Sequence, residues 1–197
     1  MAHLNFYRWI TLVSIFIWII IYWQAGRKVF VDIRAAVYSK ASRLDLILLI
    51  VLSLCSFMVL VTCLFGILKL LPIVFIQNSV MVFMGMLLII SSIIGMFACR
   101  HYLGKFWTAE INLAESHKII DTGPYRIVRH PIYTFAILMY LGMGMAFLSP
   151  WTGLLIGLIV AAYFLKTKEE DNYLQQNLAG YRDYVSRVRH RLLPGLW

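Results

Sequence analysis

The chemistry of this sequence is concentrated in two short stretches. Residues 117–133 read HKIIDTGPYRIVRHPIY and hold two His, two Arg, one Lys, one Asp and two Tyr. Residues 166–171 read KTKEED, with Glu169 and Glu170 adjacent. Carboxylates in such a place bind an amine or sugar hydroxyls. His and Tyr hydrogen-bond to a flat heterocycle or stack on it, and a cationic ligand rests well against aromatic faces. Taken singly, each group has a plainer role: Glu169 and Glu170 as a solvated helix start, Arg129 and His130 as an anchor at a membrane boundary. Polar groups that converge beside an apolar passage are the usual mark of a binding site.

The elements that must position these residues are membrane helices. The 197 residues are 61% hydrophobic and only 14% charged, against about 25% charged in an ordinary soluble domain. Apolar runs cover 9–26, 46–68, 70–99 and 130–165. A bilayer crossing takes roughly 20 such residues, so the last run is too long for one span, and Ser149-Pro150 marks a turn inside it. The reading is an all-α polytopic protein with five transmembrane helices, at about 8–24, 45–69, 78–98, 132–148 and 151–167. Backbone groups in lipid must pair internally, and no barrel-like alternation is visible.

Charge sets the orientation. Sixteen of the eighteen Lys and Arg residues lie in 24–43, 99–131 and the tail from 166, leaving only Arg8 and Lys69 elsewhere. With five spans those three segments share one side, which the positive-inside rule makes cytoplasmic. The N-terminus is then outside and the C-terminal helix cytoplasmic. The net charge of +9 follows from this topology, with some attraction to anionic lipid, and calls for no nucleic-acid partner. The first apolar segment, followed directly by Arg27-Lys28, reads as a reverse signal-anchor rather than a cleaved signal peptide. Cys55, Cys63 and Cys99 stand at spacings of neither a disulfide frame nor a metal site.

Two regions differ in character. Residues 1–98 are mostly spans, with Tyr7, Trp9, Tyr22 and Trp23 as interfacial anchors. Residues 99–197 hold the polar groups. Asp121-Thr-Gly-Pro124 is a turn, because Gly123 is free in φ and Pro124 fixes the next φ. His130-Pro131 opens the fourth span, since Pro suits the first turn of a helix. Gly142, Gly144, Gly153 and Gly157 permit close helix contact, the last two in a GxxxG pattern. Helical spacing continues through 163–188, with Gly180 bending the helix and Pro194-Gly195 ending it. An amphipathic helix there should pack back on the loop 99–131 or lie on the membrane.

The tract GPYRIVRHPIY, a span hairpin, then KEEDNYL and YRDYVSRV, resembles the isoprenylcysteine carboxyl methyltransferase family and the related phospholipid N-methyltransferases. The resemblance covers roughly residues 100–197 and implies a membrane enzyme that uses S-adenosylmethionine without a Rossmann fold. It implies that His117, Lys118, Ile119 and Ile120 give side-chain and backbone contacts to the cofactor and that Tyr125 faces it. His130, Pro131, Ile132 and Tyr133 would hold its amino-acid or adenosine part. Glu169, with Glu170 beside it, would form the opposite wall, and the helix 168–190 would close the pocket. Arg129, Lys166 and Lys168 are the candidates for meeting the substrate.

Two positions depart from the family pattern. The family's Phe-Gly falls at Asn177-Leu178, with Gly180 nearby instead. Carboxyl methyltransferases of the family place an Arg four residues before the Glu pair, where this chain has Leu165. Lys166 or Lys168 lacks the bidentate fork of Arg. The expected activity is methyl transfer to a lipophilic small-molecule or lipidated acceptor, a prenylcysteine-like carboxylate or a lipid amine. The cofactor would come from the cytosol and the acceptor from surrounding lipid. The membrane is expected to be a bacterial inner membrane, with the site facing the cytoplasm and no metal. The rival readings are a sterol-reductase-like enzyme that binds NADPH, and a non-catalytic lipid-binding protein.

Overall fold

The computed structural model describes residues 5–17, 19–20, 43–68, 75, 78–104, 119–195 and 197. All regular structure among them is helical. Helix α1 covers 5–17 and 19–20. It is followed by α2 (Arg43–Ile67), α3 (Ser79–Leu103), a 3-10 turn (Gly123–Arg126), α4 (Pro131–Ala146), α5 (Pro150–Asn177) and α6 (Tyr181–Arg187). Three of these, α2, α3 and α5, are long and apolar enough to cross a membrane. α4 is apolar but has 16 residues, about 24 Å at 1.5 Å per residue. The expected span at 8–24 falls partly outside the described residues.

Local sequence explains most of the boundaries. Asn78 caps α3, its side chain accepting from the Met81 N–H at 3.0 Å. Ser149 and Thr152 form a reciprocal capping box at the start of α5, with Pro150 in the first turn. That pair satisfies two of the helix's orphan donors and turns the chain sharply between α4 and α5. The apolar part of α5 ends at Leu165, and residues 166–177 extend the same helix as a polar arm. The arm stops where Gly180 adopts φ +80°, a left-handed conformation that a side chain resists. α6 then runs only to Arg187. The bend at Gly180 is as expected, but the helix ends well before Pro194.

α3 packs along α4, α2 along α5, and α4 against α5. Close approach is made by Gly85 of α3 and Gly142 of α4. A Cβ at Gly85 would meet the Gly142 carbonyl oxygen at 2.6 Å, and one at Gly142 would meet the Gly85 oxygen at 2.8 Å. The expected close contact at Gly153 and Gly157 is not found: among the described residues nothing lies within 4 Å of a Cβ at either. Both are exposed on α5, where the GxxxG spacing meets no helix among the described residues. The core includes Val59, Ile89, Met139, Met143, Phe147 and Ile159, all nearly fully buried. At the end of α4 away from Pro131, the buried Arg8 donates to the Ala146 carbonyl at 2.9 Å and lies over the Phe75 ring.

Candidate active site

The site region is built where the chain enters α4. Gly123, at φ +57°, and Pro124 shape the 3-10 turn, which brings Tyr125 inward as its buried residue. Tyr184 of α6 donates its hydroxyl to the Tyr125 carbonyl at 2.6 Å. Arg187 pairs with Asp121 at 2.8 Å on the surface. Ile119 packs against Tyr181, Tyr184 and Val188. The tail therefore packs back on the described part of the loop, residues 119–130, the first of the two placements expected for the helical pattern of 163–188. Backbone bonds complete the junction: the Arg129 N–H donates to the His190 carbonyl and the His130 N–H to the Arg191 carbonyl, each at 2.9 Å. Thr134 Oγ1 donates to the Leu192 carbonyl at 2.7 Å.

Asp171 stands at the centre. Its side chain is fully buried. Arg129 grips it with two bonds, Nε to Oδ1 at 2.8 Å and Nη2 to Oδ2 at 2.9 Å. Arg191 Nε donates at 3.0 Å, the Tyr181 hydroxyl at 3.0 Å and Gln175 Nε2 at 3.2 Å. His130 Nε2 lies 3.3 Å from Oδ1. A carboxylate only accepts, so that nitrogen carries a proton. Burial opposes the charge on Asp171, but the bonds from His130, Arg129 and Arg191 outweigh it and hold the carboxyl well below the usual carboxylate range. Burial, then the Asp171 charge, push the Tyr181 hydroxyl well up.

At the preceding residue of α5, Glu170 Oε2 accepts from the Tyr133 hydroxyl at 2.6 Å. The Tyr133 ring lies parallel to that of His130, with centroids 5.9 Å apart, and tilts against Tyr163 at 5.5 Å. The start of α4 and the acidic start of the polar arm thus meet side chain to side chain. Glu169 is half-buried and has no hydrogen-bond or ion-pair partner among the described residues. Pro131 occupies the first helical position and is buried, while Ile120 and Ile132 are half-buried.

Other expected site residues are placed differently. His117 and Lys118 lie outside the described residues. Arg129 is committed to Asp171 and, through Nη1, to the Val188 carbonyl at 2.6 Å. Lys166 turns toward α2, where its ammonium pairs with Asp45, both side chains being buried. Lys168 is exposed on the arm. Sequence reasoning passed over Asp171, Arg191, Tyr181 and Asp45. Thr167 and Asp171 lie four residues apart on one buried face of α5, but residue type and spacing alone do not mark that face as buried.

Comparison with known proteins bears on the same region. A sequence profile of the phospholipid methyltransferase family matches residues 80–180, just over half of the chain. Over 88 residues the chain is 30% identical to the nickel-cobalt-cadmium resistance protein NccN of Alcaligenes xylosoxydans xylosoxydans. That stretch covers 44% of this chain and 41% of the relative, so the chain matches well under half of that protein's length. The profile runs from the start of α3 through the His130–Asp171 and Tyr133–Glu170 junctions to the bend at Gly180. With its apolar spanning helices, the chain belongs to the phospholipid methyltransferase family of membrane proteins.

Proposed function

We propose that this chain is an integral membrane methyltransferase that uses S-adenosylmethionine and methylates a lipophilic acceptor at the cytoplasmic face. The observation that carries this reading is the meeting of Tyr133 with Glu170 beside His130 and Asp171. The donor set fits the cofactor. Glu169 offers an uncommitted carboxylate for an amine or ribose hydroxyls, and His130 and Tyr133 offer parallel ring faces to a cationic, heterocyclic ligand. Ile119, Ile120, Tyr125, Pro131 and Ile132 would complete the pocket, with His117 and Lys118 from the loop ahead.

The bound cofactor supplies a methyl group on sulfonium, which needs only alignment with the acceptor. The chain's own residues provide that alignment. Asp171 locks Arg129 and His130 in place, and Glu170 fixes the Tyr133 hydroxyl, so the start of α4 is rigid before any ligand arrives. A carboxylate acceptor needs no base, whereas an amine must first lose a proton. Leu165, half-exposed and apolar, stands where a carboxylate-binding Arg is found in carboxyl methyltransferases, and Lys166 is held by Asp45. The reading therefore favours a lipid amine over a prenylcysteine-like carboxylate. We further propose five spans with the N-terminus outside, which puts the site on the cytoplasmic side of a bacterial inner membrane.

Calorimetric titration of detergent-purified protein with S-adenosylhomocysteine tests the cofactor assignment. Wild type should bind, and Glu169→Gln should bind about tenfold more weakly while melting normally, the size of a lost charged hydrogen bond. Equal affinity in the two proteins, or no binding by either, would sink the reading.

A further inference from the structure

A surface concavity borders the Asp171 cluster through Arg129 and Arg191, and its lining leaves out the Glu pair. It has a volume of about 490 Å³ and is walled by Arg129, Arg189, His190, Arg191, Gly195 and Trp197. That volume is within the roughly 300–1,000 Å³ of small-molecule pockets. None of Tyr133, Glu169 or Glu170 lines it.

Its charge is one-sided. Arg129, Arg189 and Arg191 line it; Arg129 and Arg191 are paired with Asp171, which is fully buried and already saturated with donors. Arg191 contributes only Nε to Asp171. Its remaining guanidinium nitrogens make no hydrogen bond among the described residues, and the group lies 4.9 Å over the Trp197 ring. Arg189 is exposed and has no partner among the described residues. Two planar cations that present paired N–H groups suit the oxygens of a phosphate better than any neutral ligand.

Its height on the molecule points the same way. Trp197 packs on Phe164, with centroids 5.0 Å apart. Phe164 is next to Leu165, the last residue of the apolar stretch of α5 before the polar arm begins at Lys166. Trp at such a boundary is the ordinary marker of headgroup level. We propose that the Arg189–Arg191–Trp197 pocket binds a phosphate ester at the membrane boundary, separate from the cofactor wall. This inference does not depend on the methyltransferase reading, because no residue of the proposed cofactor contacts takes part.

The test uses full-length protein in a non-ionic detergent. It is titrated calorimetrically with short-chain dihexanoyl phosphatidylglycerol and, separately, with glycerol 1-phosphate. Saturable binding is expected, weakened about fivefold in Arg189→Gln, the effect of one basic residue near an anionic group. Arg182→Gln, on α6 outside the pocket lining, should bind as wild type. Preference for the lipid assigns the ligand to the membrane, and equal binding of glycerol phosphate assigns it to soluble phosphate esters; both support the site. No saturable binding of either, unchanged affinity in Arg189→Gln, or equal losses in both variants overturns it. S-adenosylhomocysteine titration of Arg189→Gln should match wild type, so failure here and failure of the cofactor assignment are told apart.

Discussion

Arg129 and Asp171, 42 residues apart in the chain, are joined by a two-pronged ion pair with both side chains buried. This pair ties the entry of α4 to the polar arm of α5. The tail is fastened to the same point through Arg191 and Tyr181. Everything proposed for the site depends on that junction holding still.

Removing one partner of a buried pair leaves the other charge without compensation, at a cost of about 3–5 kcal/mol. Asp171→Asn strands Arg129 and Arg191 in this way. The variant should lose that much stability, measured by thermal or denaturant unfolding in detergent, with the tail becoming sensitive to protease before the spans unfold. A variant that melts with wild type would show that the junction contributes nothing.

The same carboxylate gives a pH dependence of known sign. Its pKa is lower in the folded protein than in the unfolded chain, so the unfolded state binds more protons as the solution is acidified. The stabilisation is complete above the ordinary carboxylate value of about 3.9 and is lost as pH falls from there toward the folded pKa. Wild type should therefore lose stability below about pH 4, and Asp171→Asn should show a flatter profile over that range.

Helix contact offers a third check. Gly142→Ala puts a methyl group against the Gly85 carbonyl at 2.8 Å, an overpacking that costs about 1–3 kcal/mol. Gly153→Ala meets nothing within 4 Å among the described residues and should be neutral or stabilising by up to about 1 kcal/mol through helix propensity. Melting temperatures of the two variants in one detergent decide it. Equal shifts would contradict the packing of α3 on α4.

Substrate choice can be probed at one position. Leu165→Arg restores a guanidinium one turn before the Glu pair, on a half-exposed position where it fits without a clash. Methylation of a prenylcysteine-like carboxylate should rise by at least tenfold over wild type, about 1.4 kcal/mol of transition-state binding, as followed by transfer of radiolabelled methyl. A flat response would mean that the carboxylate is excluded elsewhere in the acceptor passage.

What the sequence determined alone was local. Apolar run length dictates helices long enough to cross lipid. Ser149-Pro150 with Thr152 starts α5, Pro131 starts α4, and Gly180 breaks the arm, because each effect is exerted within about one turn of the chain. The tract from Tyr125 to Tyr133 and the Glu pair were legible as site candidates for the same reason: residue type and short spacing mark them. The roles of Asp171, Lys166 and the glycines were decided only by tertiary structure. Asp171 looked like one more acid in a solvated run, yet it is fully buried because Arg129 and Arg191 reach it from distant segments. Lys166 looked available to substrate, yet Asp45, 121 residues earlier, claims it. Gly142 rather than Gly153 meets a neighbouring backbone because α4 lies against α3. Helix periodicity says which residues share a face, but the partner of that face is set by how the helices pack, and such long-range pairing leaves no mark in local spacing.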